Sequence, residues 1–199
     1  MRKSGIALMI CIIILFAGCA KSAGPGAPDD ARANYLNMSG CAMRAVVSCE
    51  QDGILWESEL KCEYIPDGVC NIEILSPESI AGIRAELDSG TWVLRYEGAV
   101  LNAGTLSREE ISPAAALPYL MDAIRNGWLI AESAENLDDI PCTRLTFDQD
   151  GTRTDKIYST LWLRRDSGIP IRGEIMVDNM TILTVDFTDF AFDTPDNII

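Results

Sequence analysis

Histidine is missing from all 199 residues. That removes the side chain that most often serves as general base near neutral pH, and the commonest nitrogen ligand for metals. Positive charge is scarce too: 16 Lys and Arg stand against 30 Asp and Glu, a net charge of −14. Such a surface repels phosphate backbones and anionic headgroups, so nucleic acid is excluded as a partner and the polypeptide itself should not adhere to a membrane. No glycine-rich phosphate loop occurs, and no serine sits in a Gly-x-Ser-x-Gly elbow. The cysteines lack C-x₂₋₄-C spacing, and those on one strand face point in parallel rather than converging on a tetrahedral ion, which argues against zinc. No catalytic constellation and no cofactor motif is left, so neither an enzyme activity nor a cofactor is expected.

What is present begins with an address. Arg2 and Lys3 precede an uncharged apolar run, residues 5–18, that ends on Ala17 and Gly18 just before Cys19. The run falls short of the ~20 residues a membrane span needs and reads as a secretory leader. A cysteine directly after Ala-Gly makes it resemble a bacterial lipoprotein signal, although the usual Leu three places before the cysteine is Phe16 here. The resemblance implies cleavage before Cys19, acylation of its thiol and N-terminus (palmitate is the usual chain), and a lipid anchor on the outer face of the cytoplasmic membrane. Two or more acyl chains make a stable anchor where one does not. Residues 1–18 are therefore expected as signal peptide. Residues 19–34, small and rich in Pro and Gly, are expected as a flexible tether, and residues 35–199 as one domain.

Three segments then alternate with period two. Cys41, Met43, Ala45, Val47 and Cys49 share one face; so do Ile54, Trp56, Leu60, Cys62 and Tyr64, against Glu57, Glu59, Lys61 and Glu63; Cys70, Ile72 and Ile74 follow. Asp52-Gly53 and Pro66-Asp67-Gly68 are the turn signals between them. A two-residue turn at 52–53 predicts Cys62 opposite Met43 and Cys41 opposite Tyr64. It leaves Cys41 diagonal to Cys62, and a five-residue connection over 65–69 likewise puts Cys70 diagonal to Cys62, a distance of about 7 Å that only twist or a bulge brings within disulfide reach. Bridge and buried free thiol stay open as alternatives for Cys41, Cys49, Cys62 and Cys70. Cys142 falls on the polar parity of its strand, opposite Leu145 and Phe147, where it could bridge two copies of the chain.

Short strands are expected over 83–87, 92–96 and 99–102. A helix follows, with Ser112 as N-cap, Pro113 at its first position, a stripe of Leu117, Leu120, Met121 and Ile124, and Gly127 as its stop. Pro118 should kink its first turns. After residues 128–131 and an acidic loop through Glu132, Glu135, Asp138 and Asp139, strands return over 142–147, 156–164, 169–178 and 181–190. Thr146-x-Asp148-x-Asp150-Gly151 has the glycine of a calcium loop, but Ile157 stands where a bidentate Glu is required, so a hairpin turn explains it better. No carboxylate pair is singled out for glycoside chemistry.

The fold class is therefore α+β, mostly antiparallel β: a curved half-barrel sheet of about ten strands covered by one or more helices. Such a sheet can fill completely or leave an apolar cavity, and Trp56, Leu60, Tyr64 and Trp92 with Leu117, Leu120, Met121 and Ile124 are the residues that would line one.

Four stretches carry a family resemblance: Leu75-Ser-Pro-Glu-Ser-Ile-Ala-Gly82, Ile111-Ser-Pro-Ala-Ala-Ala-Leu-Pro118, Leu161-Trp-Leu-Arg-Arg-Asp-Ser-Gly-Ile-Pro170 and Thr184-Val-Asp-Phe-Thr-Asp-Phe190. Through them residues 40–192 resemble the lipoprotein-carrier superfamily of LolA, LolB and RseB, in the Gram-positive branch that includes the spore-germination lipoprotein of clostridia. The resemblance implies an incomplete β-barrel closed by helices around a cavity for acyl chains. Two readings of function follow. One is a membrane-anchored lipoprotein that binds a lipid or a lipoprotein acyl chain. The other is an envelope adaptor with a filled core and a protein partner, for example in sporulation or germination. A protein held by its own lipid cannot shuttle between membranes.

Overall fold

The computed structural model describes residues 31–51, 53–88, 90–104, 111–149 and 156–193. The leader, Cys19 and the tether through residue 30 lie outside the described residues, as do Asp150 and Gly151 of the acidic turn.

A five-residue helix, α1 (Ala33–Asn37), opens the described chain. Six strands follow in an antiparallel meander: β1 (Gly40–Gln51), β2 (Ile54–Tyr64), β3 (Cys70–Ser76), β4 (Arg84–Asp88), β5 (Thr91–Tyr96) and β6 (Ala99–Gly104). A 3₁₀ turn over Pro113–Ala115 leads into helix α2 (Ala116–Asn126). The second meander is β7 (Trp128–Leu137), β8 (Ile140–Asp148), β9 (Ile157–Arg164), β10 (Pro170–Val177) and β11 (Met180–Asp193). Pairing of β1 with β11 fuses the two into one sheet of eleven strands, in the order β6-β5-β4-β3-β2-β1-β11-β10-β9-β8-β7. Its two edges, β6 and β7, adjoin α2 in sequence, so the helix carries the chain from one edge of the sheet to the other.

The register of the first hairpin follows the expected arithmetic, with Met43 opposite Cys62 and Cys41 opposite Tyr64. Period-two alternation excludes any slip by one residue, which would turn the apolar face to water, and the two-residue turn selects this register among the rest. Bulges interrupt the ladder in β1–β11, β2–β3, β10 and β7, and each adds twist and bend to its strand. That curvature gives the sheet a concave inner face.

Three expectations change. Glu132 and Glu135 are not in a loop: β7 runs through both to a tight turn at Asp138 and Asp139, each with positive φ (49° and 65°). Aspartate tolerates the left-handed region, so an Asp pair turns a hairpin much as Asn-Gly does. The helix starts later than expected. Pro113 opens the 3₁₀ turn, the N-cap of α2 is Ala115, and Ser112 makes no side-chain capping bond. Pro118 then lies in the first α-helical turn, where its missing N–H would have had no partner in any case, so no kink is needed. Gly127 does end the helix but is extended (φ −67°, ψ 155°). Glycine is required there by close approach, because a Cβ would meet the Ala123 carbonyl oxygen at 2.5 Å and the Phe147 Cβ at 3.0 Å.

Candidate functional site

Helix α2 lies on the concave face against β2, β8, β9, β10 and β11. Leu117, Leu120, Met121 and Ile124 are each 0% exposed, and Leu60 (1%), Tyr64 (4%) and Trp92 (6%) are nearly so. All seven belong to one core. A void able to hold a water molecule would leave surface on the side chains around it, and an acyl chain needs more room than a water. Leu120 bears so closely on Gly173 of β10 that a Cβ at that position would collide with its Cδ1. The side of the half-barrel beneath α2 is thus filled by these side chains. Trp56, the eighth residue named for a cavity, stands apart at 59% exposed near the tip of the β1–β2 hairpin.

Polar ties fix the helix in this position. The Tyr64 hydroxyl donates to Asp122 Oδ1 at 2.6 Å, and Arg125 Nη1 reaches the same hydroxyl oxygen at 3.4 Å. Burial raises the Asp122 carboxyl above its ordinary value, against the lowering effects of the Tyr64 hydrogen bond and the Arg125 charge. Tyr64 is raised as well, first by burial and then by the carboxylate that accepts its proton. From the other side, Arg32 caps the C-terminal end of α2. Its guanidinium donates to the carbonyls of Ile124 (2.5 Å), Arg125 (2.8 Å) and Gly127 (2.9 Å) and lies 5.2 Å from the Phe147 ring centroid. A cation at carbonyls left over by the helix also opposes the helix dipole. Tyr35 of α1 is fully buried, donates to the Gly168 carbonyl at 2.8 Å and meets Phe192 edge-on at 5.1 Å.

Beyond the helix the concave face stays open in places. Directly opposed residues of antiparallel strands share a face. Following the pairs from Leu60 to Ile74, and from Ala85 to Leu94 and on to Leu101, places Ile54, Trp56, Ile74, Leu94, Tyr96 and Leu101 on the inner face. Four of these are exposed: Ile54 (56%), Trp56 (59%), Tyr96 (42%) and Leu101 (62%). Alternation alone marks all four as core. The sequence carries no signal that the eleven-residue helix is too short to cover them. At the far edge, Trp128 and Ile130 of β7 are exposed as well.

The described cysteines are free thiols. Cys41, Cys62 and Cys70 are buried on the inner face, with Cys41 directly opposite Tyr64 and Cys62 diagonal to both Cys41 and Cys70. Cys142 has the outward parity expected, paired with Glu135 and Arg164, yet it is 0% exposed and its thiol donates to the Ile140 carbonyl at 3.3 Å. Both faces of β8 are covered, so the thiol is not presented to a second copy and a disulfide-linked dimer through Cys142 is not supported. On the outer face, Lys61, Glu63, Glu73, Arg84 and Glu86 line a polar depression of about 340 Å³, held by Lys61–Glu63 (2.9 Å) and Arg84–Glu73 (3.3 Å) ion pairs. The remaining carboxylate, Glu86, is paired with Arg95 of β5 at 2.9 Å. Among the described residues no helix is long and apolar enough to cross a membrane, and no three acidic or cysteine side chains gather around a metal position.

No protein-family model and no curated protein matches this sequence. Solved structures do. The chain is similar to a LolA superfamily protein from Nitrosomonas europaea, at 13% identity and a TM-score of 0.44, over 84% of this chain and 93% of that one. The likeness is one of fold. A DUF1329 family protein from Desulfovibrio piger aligns at 12% identity and a TM-score of 0.49, over 82% of this chain and 90% of that one. A chain from the complex of the Clostridioides difficile CwlD amidase with the GerS lipoprotein aligns at 16% identity and a TM-score of 0.42, over 79% and 88%. The mostly antiparallel α+β fold expected from the sequence is the fold observed.

Proposed function

We propose that this protein is a non-catalytic interaction lipoprotein of the cell envelope. Acylated Cys19 would hold it at the outer face of the cytoplasmic membrane, and the inner-face side chains that α2 leaves open would dock a protein partner. The observation that carries this reading is the contrast on one face: a filled core beneath α2, and exposed Ile54, Trp56, Tyr96 and Leu101 beyond it. A small-molecule pocket encloses most of its ligand, whereas an open face with aromatic anchors suits a protein surface. The second reading, an acyl-chain ligand, draws on the continuity of the apolar inner face from β2 to β6.

A photo-crosslinking side chain in place of Trp56 separates the two in intact cells, with the outward-facing Glu50 as control position. One envelope protein captured at Trp56 and not at Glu50 is the expected result. A lipid adduct at Trp56 favours the second reading, and equal labelling at both positions overturns the assignment of the face. Anchoring is tested by palmitate incorporation, which Cys19→Ala should abolish; an unlabelled wild-type chain would remove the lipid anchor from the proposal.

A further inference from the structure

Three thiols lie together on the core side of β1, β2 and β3, and two of them touch. Cys62 Sγ and Cys70 Sγ are 3.5 Å apart, the only thiol–thiol contact among the described residues, joining diagonal positions across the β2–β3 hairpin. Diagonal positions on a flat pair of strands hold their Cβ atoms too far apart for a disulfide. Here the ladder steps from Glu59–Ser76 to Leu60–Ile74, so Leu75 is an extra residue that bends β3, and Asp67 at φ 57° closes the hairpin turn. Bond formation needs the sulfurs to approach by about 1.5 Å. Cys41 sits on the other side of Tyr64 with no thiol contact, and Cys49 and Cys142 lie elsewhere on the sheet.

We propose that Cys62 and Cys70 are a disulfide pair, closed across the β2–β3 hairpin when the folding chain meets a disulfide donor. The exchange balances without a further reagent. One Cys thiolate attacks a sulfur of the donor R–S–S–R and releases R–S⁻; the other thiolate displaces the second R–S⁻ from the mixed disulfide. The protein loses two hydrogens and the donor becomes two R–SH. Timing follows from burial. In the folded hairpin both thiols are shielded (1% and 3% exposed) and the Cys62 thiol is pushed well up, by its hydrogen bond to Cys70 and by desolvation. The thiolate is therefore scarce once β2 and β3 are covered, so closure belongs to folding, and the finished bond is sheltered from reductants. The bond would also fix the hairpin that holds Tyr64, and through Tyr64 the seat of α2.

The inference is independent of where the protein is anchored, and so is its test. The full chain, in mild detergent, is unfolded, reduced and returned to native conditions in a mixture of reduced and oxidised glutathione. Remaining thiols are alkylated under denaturing conditions and the chain is digested after glutamate, which cuts at Glu63 and separates Cys62 from Cys70. The expected product is one joined peptide containing Cys62 and Cys70, split by reductant, with Cys41, Cys49 and Cys142 alkylated. Alkylation of both Cys62 and Cys70, a glutathione adduct on either, or a bond from either to another cysteine overturns the proposal. A second reading is internal to each protein: reductant lowers the denaturant midpoint of the wild type and leaves that of Cys62→Ser unchanged. Equal response of the two proteins would count against the pair.

Discussion

Tyr64 and Asp122 share a 2.6 Å hydrogen bond that ties the end of β2 to the solvent side of α2. Its two partners are 58 residues apart in sequence, on a strand and a helix that meet only when the half-barrel closes over its core. Tyr64 is buried, and its hydroxyl meets both Asp122 Oδ1 and Arg125 Nη1, so removing that hydroxyl breaks both contacts. Tyr64→Phe should cost about 1–2 kcal/mol of stability, read from denaturant midpoints at constant m.

The same pair sets a pH dependence. Burial raises the Asp122 carboxyl above its ordinary value, so between the unfolded and folded pKa the native state holds a proton that the unfolded state has released. Stability from this group is therefore fullest at pH below the unfolded carboxylate range and declines as pH rises through the raised folded value. Asp122→Asn keeps an acceptor for Tyr64 and removes the titration. Its stability relative to wild type should improve as pH rises across that window. A flat difference between the two proteins from acid to neutral pH would show that the carboxyl is not raised.

Leu120 and Gly173 report on whether the space beneath α2 is filled. Leu120→Ala should destabilise by about 2–5 kcal/mol, as loss of a fully buried side chain does. Gly173→Ala places a methyl group where Leu120 now lies and should cost about 1–3 kcal/mol. The double variant should be more stable than the sum of the two losses allows, since each change accommodates the other. Strict additivity would mean that the two residues do not touch.

Arg32 is the cap of α2 from outside the sheet. Arg32→Ala removes donors from three carbonyls and should lower stability by about 1–3 kcal/mol. Lysine keeps the charge but not the planar fork, so Arg32→Lys should recover only part of the loss. Hydrogen exchange at Ile124–Gly127 should quicken in both variants, and unchanged exchange there would detach Arg32 from the helix end.

Trp56 separates binding from folding. It is 59% exposed, so Trp56→Ser should change stability by no more than about 0.5 kcal/mol. Loss of an aromatic anchor from a docking face should weaken partner binding by about 10-fold or more, measured with the partner captured at that position. An unaltered affinity would move the docking face elsewhere.

Much of this architecture is legible in the residues themselves. Period-two alternation in β1 and β2, with a two-residue turn between them, leaves one register that buries Met43, Ala45, Leu60 and Cys62, and the structure has that register. The stripe of Leu117, Leu120, Met121 and Ile124 likewise admits only a helix with that face inward. The turn at Asp138-Asp139 was hidden because two aspartates read equally well as a solvated loop, and only the β7–β8 ladder decides between them.

Other features depend on neighbours that sequence spacing does not contain. Both Cys142 and Trp56 lie where alternation places them, one outward and one inward, yet Cys142 is covered and Trp56 is not. Alternation fixes the direction of a side chain; cover is fixed by what reaches it from elsewhere in the chain. The contact of Cys62 with Cys70 joins strands whose ladder is bent by an extra residue in β3, and the closure beneath α2 depends on Leu120 meeting a glycine 53 residues away. Strand and helix periodicity therefore determined the sheet, its inner face and the helix stripe. Which parts of that face are filled, and which remain open to a partner, was decided by the length and seating of one short helix against a curved sheet.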